Sequence, residues 1–139
     1  MSRFVRPETI RLELEADGDW ILVKRRLTAG EERHAYARIF KPAPLGQPRE
    51  LDYEQAGLAK MIAYLLDWSF VDDRGTVVPI RDQPPAAVEA AVLGLDPRSF
   101  REVHDLIVAH EAREAEALEA EKKTRSTTPA SSRTSMSVA

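Results

Sequence analysis

The sequence predicts an α+β fold: an N-terminal β-hairpin and a short second hairpin packed on a small helical bundle, followed by a long charged C-terminal helix and a disordered tail. Three observations carry this reading. In "ETIRLELE", residues 8–15, Ile10, Leu12 and Leu14 alternate with charged or polar residues, the period of a half-buried strand. From Leu51 onward apolar residues recur at helical spacing. After Val108 the large apolar residues thin out, and "AHEAREAEALEAEKK" offers only Leu118 for burial.

The elements follow in order. "ADGD" places Asp17-Gly18 at the centre of a turn, and "WILVKRR" returns as the second strand. Two strands alone are marginal, so helices must cover one face. Thr28 with Glu31 three residues on is a capping box, which opens a short helix to about Phe40. The three prolines and the glycine of "KPAPLGQPRE" make 41–50 a loop. A second helix runs from about Leu51 to Asp67, its stripe traced by Leu51, Leu58, Ile62, Leu65 and Leu66. A strand–turn–strand over "FVDDRGTVVPI" turns at Asp73-Arg74-Gly75. Pro85 starts a third helix, 85–94, with Val88, Ala91 and Val92 inward. Asp96-Pro97 starts the last, with Phe100, Val103, Leu106 and Ile107 in its buried half. The expected organisation is a core domain over 1–108, a solvated helical extension over 109–123 and a disordered Ser/Thr-rich tail over 124–139.

Composition narrows the function classes. The 139 residues suffice for one domain with appendages. With no cysteine there is no disulfide, thiolate nucleophile or cysteine zinc site. No apolar run approaches the roughly 20 residues of a membrane helix, and "MSRFVRPETI" lacks a signal-peptide core. The expectation is a soluble protein of the cytoplasm. The net charge of −3 conceals an asymmetry: +2 over residues 1–50, −7 over 51–123 and +2 over the tail. The only basic run is Lys24-Arg25-Arg26, too short for a polybasic tract, so nucleic acid is not an expected partner.

Candidate chemistry is sparse. Asp67, Asp72 and Asp73 raise the question of a metal site. An EF-hand, however, wants alternating oxygen ligands and a terminal glutamate, and "DWSFVDDRGTVV" puts Phe70 and Val71 where ligands belong. The turn reading is favoured. His110-Glu111-Ala112-Arg113-Glu114 echoes the zinc-protease helix with Glu114 in place of the second histidine, but a third ligand and a walled site are missing. His34 and His104 read as surface or rim residues. Trp20 and Trp68 read as large apolar groups that lock the hairpin onto the helices. There is no phosphate loop, nucleophile elbow or dinucleotide fingerprint. The expectation is a protein without enzymatic activity or cofactor.

The motifs "W-I-x-V-K…L-T-x-G-E-x-R" and "L-x-D-W-x-F-x-D-x-x-G-x-x-V-P-I", with the charged C-terminal helix and Ser/Thr-rich end, carry a resemblance across about residues 8–120. The chain resembles the tail assembly chaperones of long-tailed, siphovirus-type bacteriophages, those infecting actinobacteria in particular. The resemblance implies a non-enzymatic role in the host cell cytoplasm. It implies binding to the tape-measure protein, with tail-tube subunits as further partners and self-association open. It carries over no site residues. From the helical pattern alone, the expected partner surface is an exposed strip at Leu106, Ile107 and Leu118 flanked by Glu111 and Glu114. A groove of that kind takes a partner helix. Two other classes stay open: a virion component such as a head–tail connector or decoration protein, and a small regulatory binding module.

Overall fold

The computed structural model describes residues 2–138, with side chains through Thr124. Among the described residues the chain is a mixed α+β fold of a three-stranded antiparallel sheet and four helices. The elements are β1 (Thr9–Glu13), β2 (Trp20–Lys24), α1 (Ala29–Arg38), α2 (Tyr53–Tyr64), β3 (Leu65–Trp68), α3 (Pro85–Leu93) and α4 (Pro97–Val138). The chain divides into two compact units, Met1–Val108 and Ala109–Ala139. α4 runs through Val138, across most of the expected tail 124–139, and the side chains of residues 125–139 lie outside the described residues.

The sheet order is β1-β2-β3, so β2 is central. Asp17 and Gly18 both take positive φ, 61° and 67°, within the loop that the Leu14 amide closes by donating to the Asp19 carbonyl at 2.9 Å. β1 then pairs with β2 without a slip, Leu12 opposite Ile21 and Ile10 opposite Val23. These residues share the core face. Arg11, Glu13, Trp20 and Leu22 share the other, with the Arg11 guanidinium 4.7 Å over the Trp20 ring. Trp20 is therefore on the outer face of the sheet. The expectation that it locks the hairpin onto the helices is corrected.

β3 is the main departure from the expected boundaries. The helix stripe predicted α2 through Asp67, but the helix ends at Tyr64 and Leu65 turns to extended backbone. Leu65 then lies opposite Val23 and Trp68 opposite Ile21, with Leu66 as an extra residue in a bulge. Four residues of "LLDW" complete the sheet on the free side of β2, and both Leu65 and Trp68 still reach the core. A short apolar run satisfies either period, and the unpaired edge of β2 decides between them. At its other end α2 begins later than Leu51, which forms a bridge with Phe40, and Asp52 caps the helix through the Glu54 amide. The second hairpin is a single bridge, Val71 to Val77, closed around Asp72 and Gly75.

The core of the first unit lies between the inner sheet face and the helices. Ile21, Val23, Met61, Val92, Val103 and Ile107 are fully buried, and Trp68 is 2% exposed. The Trp68 indole N–H donates to the Val78 carbonyl at 2.7 Å, and its ring lies 4.9 Å from Phe70. Trp68 thus joins β3 to the segment that follows it, as expected of a structural tryptophan. Helix starts follow the local chemistry. Thr28 and Glu31 close the capping box reciprocally. The Asp96 carboxylate accepts from the Ser99 amide and hydroxyl at 2.9 and 2.7 Å.

Candidate partner-binding surface

The residues expected to bind a partner all lie on α4, and their burial differs sharply along it. Ile107 is fully buried within the core of the first unit, and Leu106 is half-buried against that core. The expectation of an exposed strip at Leu106 and Ile107 is thereby corrected. The spacing Phe100–Val103–Ile107 turns Ile107 inward, where apolar burial gains more than solvent exposure. Glu111 and Glu114 are half-buried, and Leu118 is 39% exposed. In the second unit Glu111, Glu114 and Leu118 recur at helical spacing on one face of α4. In the same unit, Ala115, Glu116, Glu119 and Ala120 lie together on α4, and among the described residues no other element lines this face.

His110 is 1% exposed, so the helix is not solvated from its first turn past Val108 as the alanine-rich composition suggested. Glu114, its i+4 neighbour, is half-buried. Of the other histidines, His34 is exposed, and His104 packs its ring on α2 at Gly57 with Nδ1 3.2 Å from Asp105. A Cβ at position 57 would meet the ring at 3.1 Å, so glycine permits this helix approach.

Of the aspartates around the second hairpin, Asp67 and Asp72 serve the backbone. Asp72 Oδ1 accepts the amides of Arg74 and Thr76 at 2.9 and 3.0 Å, holding the turn from its own side chain. Asp67 Oδ1 accepts the Trp68 amide, and its Oδ2 lies 3.9 Å from Arg81. Among the described residues no three His, Asp or Glu side chains gather as a metal-binding group.

The basic run is likewise engaged within the fold. Lys24 pairs with Glu31 and Arg25 with Glu8. Burial raises the Glu31 pKa, but the bonds from Lys24 and Thr28 outweigh it and hold the carboxyl below its ordinary value. The Ser99 amide and hydroxyl likewise lower Asp96. A third ion pair, Arg38 to Glu89 at 2.7 Å, ties the end of α1 to α3. None of this converges on a cleft.

Sequence reasoning passed over several exposed apolar side chains. Phe4, Leu45 and Tyr53 are largely exposed, and Tyr36 stacks edge-on to Phe40 at 4.9 Å with most of its surface in solvent. Phe4 and Leu45 fall in segments without periodicity, and Tyr36 and Tyr53 lie on α1 and α2. Among the described residues no helix is long and apolar enough to cross a membrane. Comparison of the chain with protein-family models, with curated proteins and with solved structures found no match.

Proposed function

We propose that this chain is a non-enzymatic assembly protein, a phage tail assembly chaperone that binds the tape-measure protein in the host cytoplasm and assists tail-tube assembly. The observation that carries the reading is the face of α4 in the second unit, where an exposed Leu118 lies beside half-buried Glu111 and Glu114 on an acidic helix. The two motifs that carry the family resemblance support it. A partner helix docks along Glu111, Glu114 and Leu118 of the second unit. Leu118 supplies apolar contact, and the glutamates favour basic partner segments and speed encounter. Ile107 anchors the helix and takes no direct part.

The test is co-expression with the tape-measure protein. The reading requires that the partner become more soluble and co-purify, and that Leu118→Asp weaken the complex while the domain stays folded. A partner whose solubility is indifferent to this chain defeats the reading. If the chain instead appears stoichiometrically in purified virions, it is a connector or decoration component.

A further inference from the structure

β1 is an edge strand, and its open side is where the fold is least complete. The Arg25 amide donates to the Glu8 carbonyl and the Leu14 amide to the Asp19 carbonyl. The β1–β2 register runs without a slip between these two bonds. In an antiparallel ladder the bonds alternate, so Ile10 and Leu12 also face β2. The N–H and C=O groups of Thr9, Arg11 and Glu13 point away from it. Among the described residues β1 has no strand on that side. The core face is also unfinished there. Ile21 and Val23 on β2 are fully buried, whereas Ile10, Leu12 and Leu14 are only half-buried.

Edges are ordinarily protected by a proline, a bulge, a lysine or an inward charge. Thr9–Glu13 has no proline, bulge, lysine or inward charge; its protection is its short length and the exposed charges of Arg11 and Glu13. It carries one cation and one anion two residues apart on the outer face, Arg11 and Glu13, both well exposed. That pair is self-complementary when the strand meets a copy of itself in reverse.

We propose that two copies of the chain pair β1 with β1 across a two-fold axis at Leu12, forming a continuous six-stranded antiparallel sheet. In this register Arg11 of one copy lies opposite Glu13 of the second, and each pair exchanges two backbone hydrogen bonds from the groups that point outward. Leu12 meets Leu12 and Ile10 meets Leu14 on the core face, covering the apolar surface that β1 leaves open. The interface is isologous, as a two-fold dimer requires. Charge selects the register. An axis at Arg11 sets arginine against arginine, which is destabilising, and an axis at Ile10 leaves both charges unmatched. The pairing ends at Glu15, whose amide already donates to Glu102 at 3.2 Å. This inference stands on the sheet alone and does not rest on the tail-assembly reading.

Sedimentation velocity on the full chain up to about 1 mM, where even weak specific association is visible, tests it. A concentration-dependent dimer is expected. Glu13→Pro removes an outward N–H but no β1–β2 bond, so it should give a monomer with an unchanged far-ultraviolet spectrum. Arg11→Glu and Glu13→Arg each turn attractive cross-strand pairs into repulsive ones and should weaken the dimer about tenfold. The double reversal R11E/E13R restores the pairing and should restore the dimer. If Glu13→Pro does not fold, the surface reversals decide alone. A chain that stays monomeric overturns the proposal. So does a dimer indifferent to the folded Glu13→Pro variant or to the single reversals, or one that the double reversal fails to recover.

Discussion

Replacing Trp68 by alanine should remove a large share of the stability of the first unit. The side chain is 2% exposed, sits opposite Ile21 across the sheet and bonds the Val78 carbonyl at 2.7 Å. Burying an indole removes roughly 200 Å² from water, about 5 kcal/mol at 25 cal/mol per Å² as an upper bound. Large-to-small replacement of a buried tryptophan costs about 3–5 kcal/mol in practice. A domain of this size has about 5–15 kcal/mol in total. The expected loss is therefore about 4 kcal/mol, read as a fall of roughly 2 M in the urea midpoint at a slope of about 2 kcal/mol per molar. Circular dichroism is the proper signal, because the mutation removes one of the two tryptophan fluorophores. Trp68→Phe separates the contributions. It keeps an aromatic ring beside Phe70 but leaves the Val78 carbonyl without its donor, at a cost of about 1–2 kcal/mol. Val78 is half-buried, so water partly compensates. A Trp68→Ala midpoint within 0.5 M of the parent, a loss of about 1 kcal/mol at that slope, would refute the reasoning.

The other predictions concern single contacts. The Glu31 carboxyl is held below its ordinary value of 4.5, so its contribution is present above that pH and is lost as pH falls through the lowered folded value. The stability gap between the parent and Glu31→Gln in urea should be constant near neutrality and close in acid; a gap that widens below pH 4.5 contradicts the assignment. Gly57→Ala should not yield the usual helix gain of about 1 kcal/mol, because its Cβ meets the His104 ring at 3.1 Å. In a His104→Ala background the gain should return, and a double-mutant cycle without coupling would disprove the contact. Asp72→Asn keeps an oxygen for the Arg74 and Thr76 amides and should be nearly neutral in thermal unfolding, whereas Asp72→Ala should cost about 1 kcal/mol. Equal losses for both would mean that charge, not turn geometry, is what the site uses.

Much of the fold follows from short-range chemistry that a sequence displays directly. Asp17-Gly18 determines the hairpin because few residue pairs tolerate two positive φ angles. Thr28 with Glu31, and Asp96 before Pro97, determine two helix starts because each satisfies amides within three residues. The alternation in 9–13 determines which face of β1 is apolar. None of these depends on distant parts of the chain. Tertiary structure decided the rest. "LLDW" carries apolar residues compatible with a helix or a strand, and it became β3 because β2 offered an unpaired edge. The pattern on α4 marks an apolar stripe but not where the stripe stops being covered. Only packing placed Ile107 inside and Leu118 outside. His110 lies buried in a segment whose composition reads as solvated. The Trp20 face, the Lys24–Glu31 and Arg38–Glu89 pairs and the His104–Gly57 approach likewise depend on which elements meet. Local dihedral and capping preferences act over a few residues and are written in the sequence. Burial is a property of what lies opposite, and the chain acquires it only on folding.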